Sequence, residues 1–174
     1  KTVALVGNSR ALAQTRFGSQ IDHSDIVMRI NRAPMPSAIS HGSRTTLLAL
    51  AVSIDSAGLG RIKPERVLWM SHKRKRLTYR IASGSGFYLQ GLEDHRALEA
   101  RIGSMPSTGM SAISLLAASG ASQIELFGFD FFASQSLSGR RTAAQVPHDF
   151  AAEKQYVDRL LARDRRFHLI SASP

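Results

Sequence analysis

The sequence predicts an α/β fold: a mostly parallel twisted sheet flanked by helices, in a single domain over residues 1–174. Three observations carry this expectation. Short apolar runs with β-branched residues alternate with longer amphipathic or Ala-rich stretches, the pattern of strands joined by helical crossovers. A chain of this length buries about 70% of its unfolded surface, enough for one core and little for two. The composition, 43% hydrophobic and 21% charged, is that of a globular protein and excludes a disordered one.

The expected strands are Val3 to Val6, Ile26 to Ile30, Thr45 to Leu50, Val67 to Met70, Phe87 to Gln90, Gln123 to Phe127 and Phe167 to Ile170. Each is a short apolar run bounded by polar or turn residues. The expected helices are Arg10 to Gln20, Leu92 to Arg101, Gly109 to Ser119 and Phe150 to Arg163. Asn31 to Ser43 and Ala133 to Pro147 read as loops, the second either a lid or an ordinary surface loop. There is no internal repeat.

The longest apolar run, Leu47 to Val52, is far below the roughly 20 residues of a bilayer span. The start, Lys1-Thr2-Val3-Ala4, has no charged-then-apolar leader, so the chain reads as a trimmed domain. Cysteine is absent, which excludes disulfides, thiolate metal sites and thiol nucleophiles and favours a reducing compartment, by default the cytoplasm. Lys and Arg number 23 against 13 Asp and Glu, a net charge of +10 that attracts polyanions of several classes without choosing among them.

Three helix starts stand out. The first strand runs into Gly7-Asn8-Ser9-Arg10, where Gly7 permits a tight turn and the next helix aims backbone N–H groups beyond the strand end. This is a place for an anion or a plain connection, and neither a dinucleotide fingerprint nor a phosphate-loop motif can be laid on it. The second start is Pro106-Ser107-Thr108-Gly109. Its hydroxyls serve either a phosphorylated ligand or simple capping, and Gly109 allows close approach of a ligand to the backbone.

The third is Pro147-His148-Asp149-Phe150, heading a helix whose inward stripe holds Phe150, Val157, Leu160 and Leu161, with Glu153 on the same stripe. A carboxylate there needs a hydrogen-bond donor or a solvated cleft. His148 is of the residue type suited to general-base work near neutrality, or it is only a cap.

In order, these residues resemble a known family. VALVGNSRALAQTRFGSQIDHSDIVMRINRAP with GSRTT at Gly42 to Thr46 resembles the large motif of the animal-type sialyltransferases, glycosyltransferase family 29. PSTGMSAISLLAASGASQIELFGFD, Pro106 to Asp130, resembles their small motif, and HDFAAE, His148 to Glu153, their very small H-x4-E motif. The resemblance implies a short, bacterial-type relative: a metal-independent, inverting transferase with a modified glycosyltransferase-A-like, Rossmann-like fold and no cofactor. Its donor would be CMP-sialic acid or a related CMP-sugar, and its acceptor a glycan or glycolipid. By motif position Gly7, Asn8, Ser9 and Asn31 would meet the nucleotide and its phosphate, with Ser107, Thr108, Gly109 and Gly128 closing around it. His148 would be the base that deprotonates the acceptor hydroxyl, and Glu153 would support it.

The chain also departs from the family pattern. The third motif's His is missing from Ala133 to Pro147, with Arg140 or Arg141 as substitute cations, and the family's paired cysteines are absent. No Asp-x-Asp occurs, as expected if the leaving group is a monophosphate held by helix N-termini and Asn donors.

Lys73, Arg74, Lys75 and Arg76, followed by Arg80, form either a solvated helix face or a dock for anionic lipid or nucleic acid. Arg159, Arg163, Arg165 and Arg166 form a second basic face. His23, His41, His72, His95 and His168 show no zinc-ligand spacing. The rival to the transferase is a basic nucleotide- or nucleic-acid-binding module. Without interleaved aromatics or a recognition motif, no nucleic-acid partner is expected.

Overall fold

The computed structural model describes residues 1–130 and 148–171. Seven strands, β1 (Thr2–Val6), β2 (Ile26–Ile30), β3 (Leu47–Leu50), β4 (Arg66–Trp69), β5 (Tyr88–Leu89), β6 (Gln123–Phe127) and β7 (Phe167–Ile170), form one sheet. Its order is β5-β4-β3-β2-β1-β6-β7, and every pairing is parallel. All seven strands lie where the apolar runs predict, displaced by at most two residues at an end.

The reason is burial on both faces. Along β1, Val3 and Leu5 enter one core while Ala4 and Val6 enter another, so the strand reads as continuous apolar sequence. The larger core lies under α5 (Leu92–Ile102), α6 (Thr108–Ala117) and α7 (Phe150–Arg163), and includes Leu98, Ile113 and Val157. The opposite face is covered by a 3-10 helix (Arg10–Gln14) with α1 (Gly18–His23), α2 (Ala38–His41), α3 (Ser56–Ile62) and α4 (Tyr79–Ala82). Its apolar residues form two separate clusters, one around Val27 and Phe127, the other around Leu48 and Trp69.

The expected helix Arg10 to Gln20 is two pieces. Thr15 ends the first by donating from its amide and its hydroxyl to the Leu12 carbonyl. The second starts at Gly18, where a Cβ would stand 1.8 Å from the Ala38 carbonyl oxygen, so the chain bends to bring α1 against α2. Helix α2 lies inside the expected loop Asn31 to Ser43, and α3 and α4 had no counterpart in the sequence reading. Asp55 caps α3 by accepting from the Gly58 amide at 2.7 Å. The expected loop Ala133 to Pro147, with Arg140 and Arg141, lies outside the described residues.

Arg29 is the one charged residue buried in a strand among the described residues, 1% exposed. Its Nε donates to the Arg44 carbonyl at 3.0 Å and to Thr45 Oγ1 at 3.1 Å, and its Nη2 to the His41 carbonyl at 2.7 Å. Burial brings its pKa down to about 10, against the pull of Asp22, so it stays charged at neutral pH. Asp22 in turn accepts from the amides of Ser43 and Arg44. The Gly42 to Thr46 segment is therefore gripped by a cation on the inside and a carboxylate on the outside.

The second basic face is partly structural. Arg166 pairs with Asp164 at 2.6 Å and donates to the Ala117 and Ser119 carbonyls, tying the entry of β7 to the end of α6. No described helix is long and apolar enough to cross a membrane.

Candidate functional site

Strand β1 leads to neighbours on one side and β6 to a neighbour on the other, so the strand order reverses between them. With all strands parallel, their carboxyl ends share one rim, and the crevice between β1 and β6 is where open α/β sheets bind ligands. Gly7 and Gly128 meet there. The Gly7 amide donates to the Phe127 carbonyl at 2.7 Å, and a Cβ on Gly7 would stand 2.4 Å from the Gly128 carbonyl oxygen. Gly128 has φ +67°, a conformation that side chains disfavour. Both glycines are needed to bring the two turns together.

Ser9 caps the 3-10 helix, accepting from the Ala11 amide at 3.2 Å and donating to Asp130 Oδ2 at 2.8 Å. Asn8 is half-buried between Gly7 and Ser9. The first helix start is thereby tied to the segment after β6. Phe129, within that segment, fills the space a Cβ would take on Gly109, 2.9 Å from its ring. Gly109, expected from the sequence to let a ligand approach the backbone, has Phe129 packed against it.

Asn31, at the end of β2 with φ +52°, bridges three elements. Its Oδ1 accepts from the Ala51 amide at 3.0 Å beyond β3, and its Nδ2 donates to Thr108 Oγ1 at 3.1 Å on α6. Ser107 caps α6 by accepting from the Met110 amide at 3.1 Å. Its own amide donates to Glu153 Oε1 at 2.6 Å, and its hydroxyl donates to Glu153 Oε2 at 2.8 Å. Ser107 thus spends both its donors on α7.

This clasp answers the sequence puzzle of a carboxylate on an inward stripe. Glu153 is 3% exposed, and burial pushes its pKa up to about 7 although the two Ser107 bonds oppose the rise; the nearby Asp149 adds to it. An acid whose pKa rises on folding keeps its proton in the folded chain over the window from 4.5 to about 7. Stability tied to that proton is full below the window and falls as pH rises through it, by roughly 3 kcal/mol. Urea unfolding of Glu153→Gln across this range should lack that slope. An unchanged slope would place the titration elsewhere.

His148 lies just before α7, which Asp149 caps by accepting from the Ala152 amide at 3.0 Å. Its Nδ1 stands 2.8 Å from the Met105 carbonyl oxygen. A carbonyl only accepts, so Nδ1 is the donor in this contact, and in the neutral ring the lone pair then falls on Nε2. The Phe150 ring, at 5.9 Å in an edge arrangement, backs the imidazole. His148, Met105, Ser107, Glu153, Thr108 and Asn31 are therefore joined by hydrogen bonds and the chain itself. Gly7, Ser9, Gly128 and Asp130 form a second group, linked to the first through Phe129 and Gly109.

Sequence reasoning missed Phe129, Asp130 and Met105 as parts of this arrangement. Asp130 had a visible signal, a carboxylate just past a strand end. Met105 had none, because a main-chain carbonyl leaves no trace in residue type. Among the described residues no group of three or more His, Asp or Glu is placed to hold a metal ion.

The basic cluster is less uniform than its sequence. Lys73, Lys75 and Arg76 are exposed, but Arg74 is half-buried and donates to the Gln90 carbonyl.

The family model for glycosyltransferase family 29 (sialyltransferase) matches residues 1–83. No curated protein sequence matches the chain. Among solved structures, a mammalian sialyltransferase is similar at 20% identity and a TM-score of 0.70, covering 99% of this chain and 70% of that one. The sialyltransferase CstII from Campylobacter jejuni, in complex with cytidine 5′-monophosphate, is similar at 14% identity and a TM-score of 0.66, covering 97% and 79%. CstII in complex with CMP-3FNeuAc gives 13% identity and 0.66, covering 97% and 81%. The resemblance carried by the three motifs is supported on both counts: in its first 83 residues the chain matches the family 29 sialyltransferase model, and its fold is that of sialyltransferases.

Proposed function

We propose that the protein is a CMP-sugar-dependent glycosyltransferase that moves sialic acid or a related sugar acid, such as another nonulosonate or Kdo, to a hydroxyl of a glycan or glycolipid. The observation that carries this reading is the contact of His148 Nδ1 with the Met105 carbonyl, which in the neutral ring leaves Nε2 as the proton acceptor. In the proposed step the acceptor oxygen forms its bond to the anomeric carbon while the bond from that carbon to the CMP oxygen breaks. The acceptor proton passes to Nε2, and CMP leaves on the opposite face with the bonding electrons, so configuration inverts. The transition state is oxocarbenium-like. Thr108, Asn8 and the amides beside Gly7 and Gly128 supply dipoles for the developing phosphate charge, which is smaller than that of a diphosphate and is met here without a metal. The nucleotides and sugar acid bound by CstII support the same donor class.

The test is a melting curve. CMP at a hundredfold excess over its dissociation constant should raise the melting temperature by about 5–10 °C, with UMP, GMP and single-stranded RNA doing less. Release of CMP from CMP-sialic acid and from CMP-Kdo, with and without acceptors, then separates the donors. No response to CMP together with salt-sensitive RNA binding would instead favour a nucleic-acid module.

We propose further that this chain works in the cytoplasm, in peripheral contact with anionic membrane. Lys73, Lys75, Arg76 and Arg80 are exposed around Tyr79, itself 87% exposed, which supports such a contact. Binding to phosphatidylglycerol vesicles, weakened by salt and lost when Lys73, Lys75 and Arg76 are changed to Glu, is the expected result. Equal binding to phosphatidylcholine vesicles would contradict it.

A further inference from the structure

A second polar cluster lies on the same rim, at the carboxyl ends of β4 and β5. His95 is on the inward stripe of α5 with Leu98 and Ile102, where an apolar residue would be ordinary. It is 6% exposed, and neither ring nitrogen has a hydrogen-bond partner. Its ring faces that of His72, just past β4, with centroids 4.9 Å apart. Arg74 reaches the same place from the turn after His72: Nη2 donates to the Gln90 carbonyl, while Nη1 is buried and unpartnered. Gln90, directly after β5 and 6% exposed, has an unpartnered Oε1.

Buried polar groups are almost always bonded, and four unpartnered atoms in one cluster need a reason that folding does not supply. Two imidazoles and a guanidinium call for an anion, and the amide oxygen calls for a hydroxyl or N–H donor beside it. Burial first, then the His72 ring, holds His95 below its ordinary pKa; Glu99 opposes and Arg74 adds to the effect. The strand order sets the cluster two to three strands from the Asn31 end of β2, so at about 4.8 Å per strand it lies roughly 10–14 Å along the rim. That is the span of a sugar or two beyond the donor site.

We propose that His72, Arg74, Gln90 and His95 form a subsite for an acidic sugar of the acceptor, binding its carboxylate or phosphate through the two imidazoles and the guanidinium and an adjacent hydroxyl through Gln90. The inference rests on the glycosyltransferase reading for the word acceptor, but the site itself is testable without turnover.

Binding to the full chain would be measured by calorimetry for 3′-sialyllactose against lactose and for galactose 6-phosphate against galactose, with the CMP melting shift recorded in parallel. The expected result is at least tenfold tighter binding of one acidic sugar than of its neutral counterpart, and the pair that discriminates identifies carboxylate or phosphate. His95→Leu and Arg74→Gln should each lose that discrimination at least tenfold and keep the CMP shift. His72→Ala, at a half-exposed position, should do the same and guards against a variant that fails to fold. Equal binding of acidic and neutral sugars, or discrimination retained in all three variants, would overturn the subsite. Loss of the CMP shift in the unaltered protein would overturn the donor reading and leave a measured acid preference standing.

Discussion

His148→Ala should lower transfer by about 10²–10⁴-fold, the usual contribution of a positioned general base, while the CMP melting shift stays close to its unaltered value. The separation of the two readouts follows from the contacts. His148 is held by one bond from Nδ1 to the Met105 carbonyl and by the edge of Phe150, whereas the clasp that seats α7 on α6 runs through Glu153 and Ser107. Removing the imidazole takes away the proton acceptor and leaves that clasp in place. The check is the initial rate of CMP release with acceptor present, beside melting curves with and without CMP. Transfer at the original rate would show that another group takes the proton.

Arg29→Met should cost about 3–5 kcal/mol of stability, the usual penalty for removing one side of a buried charged hydrogen-bond network. Methionine fills much of the volume but gives nothing to the His41 and Arg44 carbonyls or to Thr45 Oγ1, each of which now accepts from the guanidinium. Unpartnered inside the fold, such acceptors cost on the order of 1–3 kcal/mol apiece, with partial relief from local rearrangement. Arg29→Lys should recover only part of the loss, because one ammonium cannot follow the planar fork that reaches three acceptors in two directions. The midpoint of urea unfolding at neutral pH measures both. A Met variant as stable as the original would mean that the Gly42 to Thr46 segment finds its partners without Arg29.

The two predictions fall on residues that the sequence presented very differently. His148 stood in a motif and was singled out at once. Arg29 sat inside the expected strand Ile26 to Ile30 and was not singled out. Only the loop that returns over β2 and offers two carbonyls and a hydroxyl makes its burial tolerable. The basic run behaves likewise: Lys73, Lys75 and Arg76 are exposed, while Arg74 turns in because the Gln90 carbonyl, directly after the neighbouring strand, accepts from it.

What the sequence determined by itself was the set of seven strands, the three long helices α5 to α7 and the identity of the groups at the helix starts. These are local properties: strands buried on both faces read as nearly continuous apolar runs, and caps such as Ser107 and Asp149 lie beside the helices they begin. Tertiary structure alone decided how the chain bends between Arg10 and His23, which donor satisfies Glu153, which ring occupies the space over Gly109, and which nitrogen of His148 carries the proton. Each depends on an atom far along the chain, often a main-chain amide or carbonyl, and a hydrogen bond between distant backbone and side-chain groups has no signature in the order of residue types.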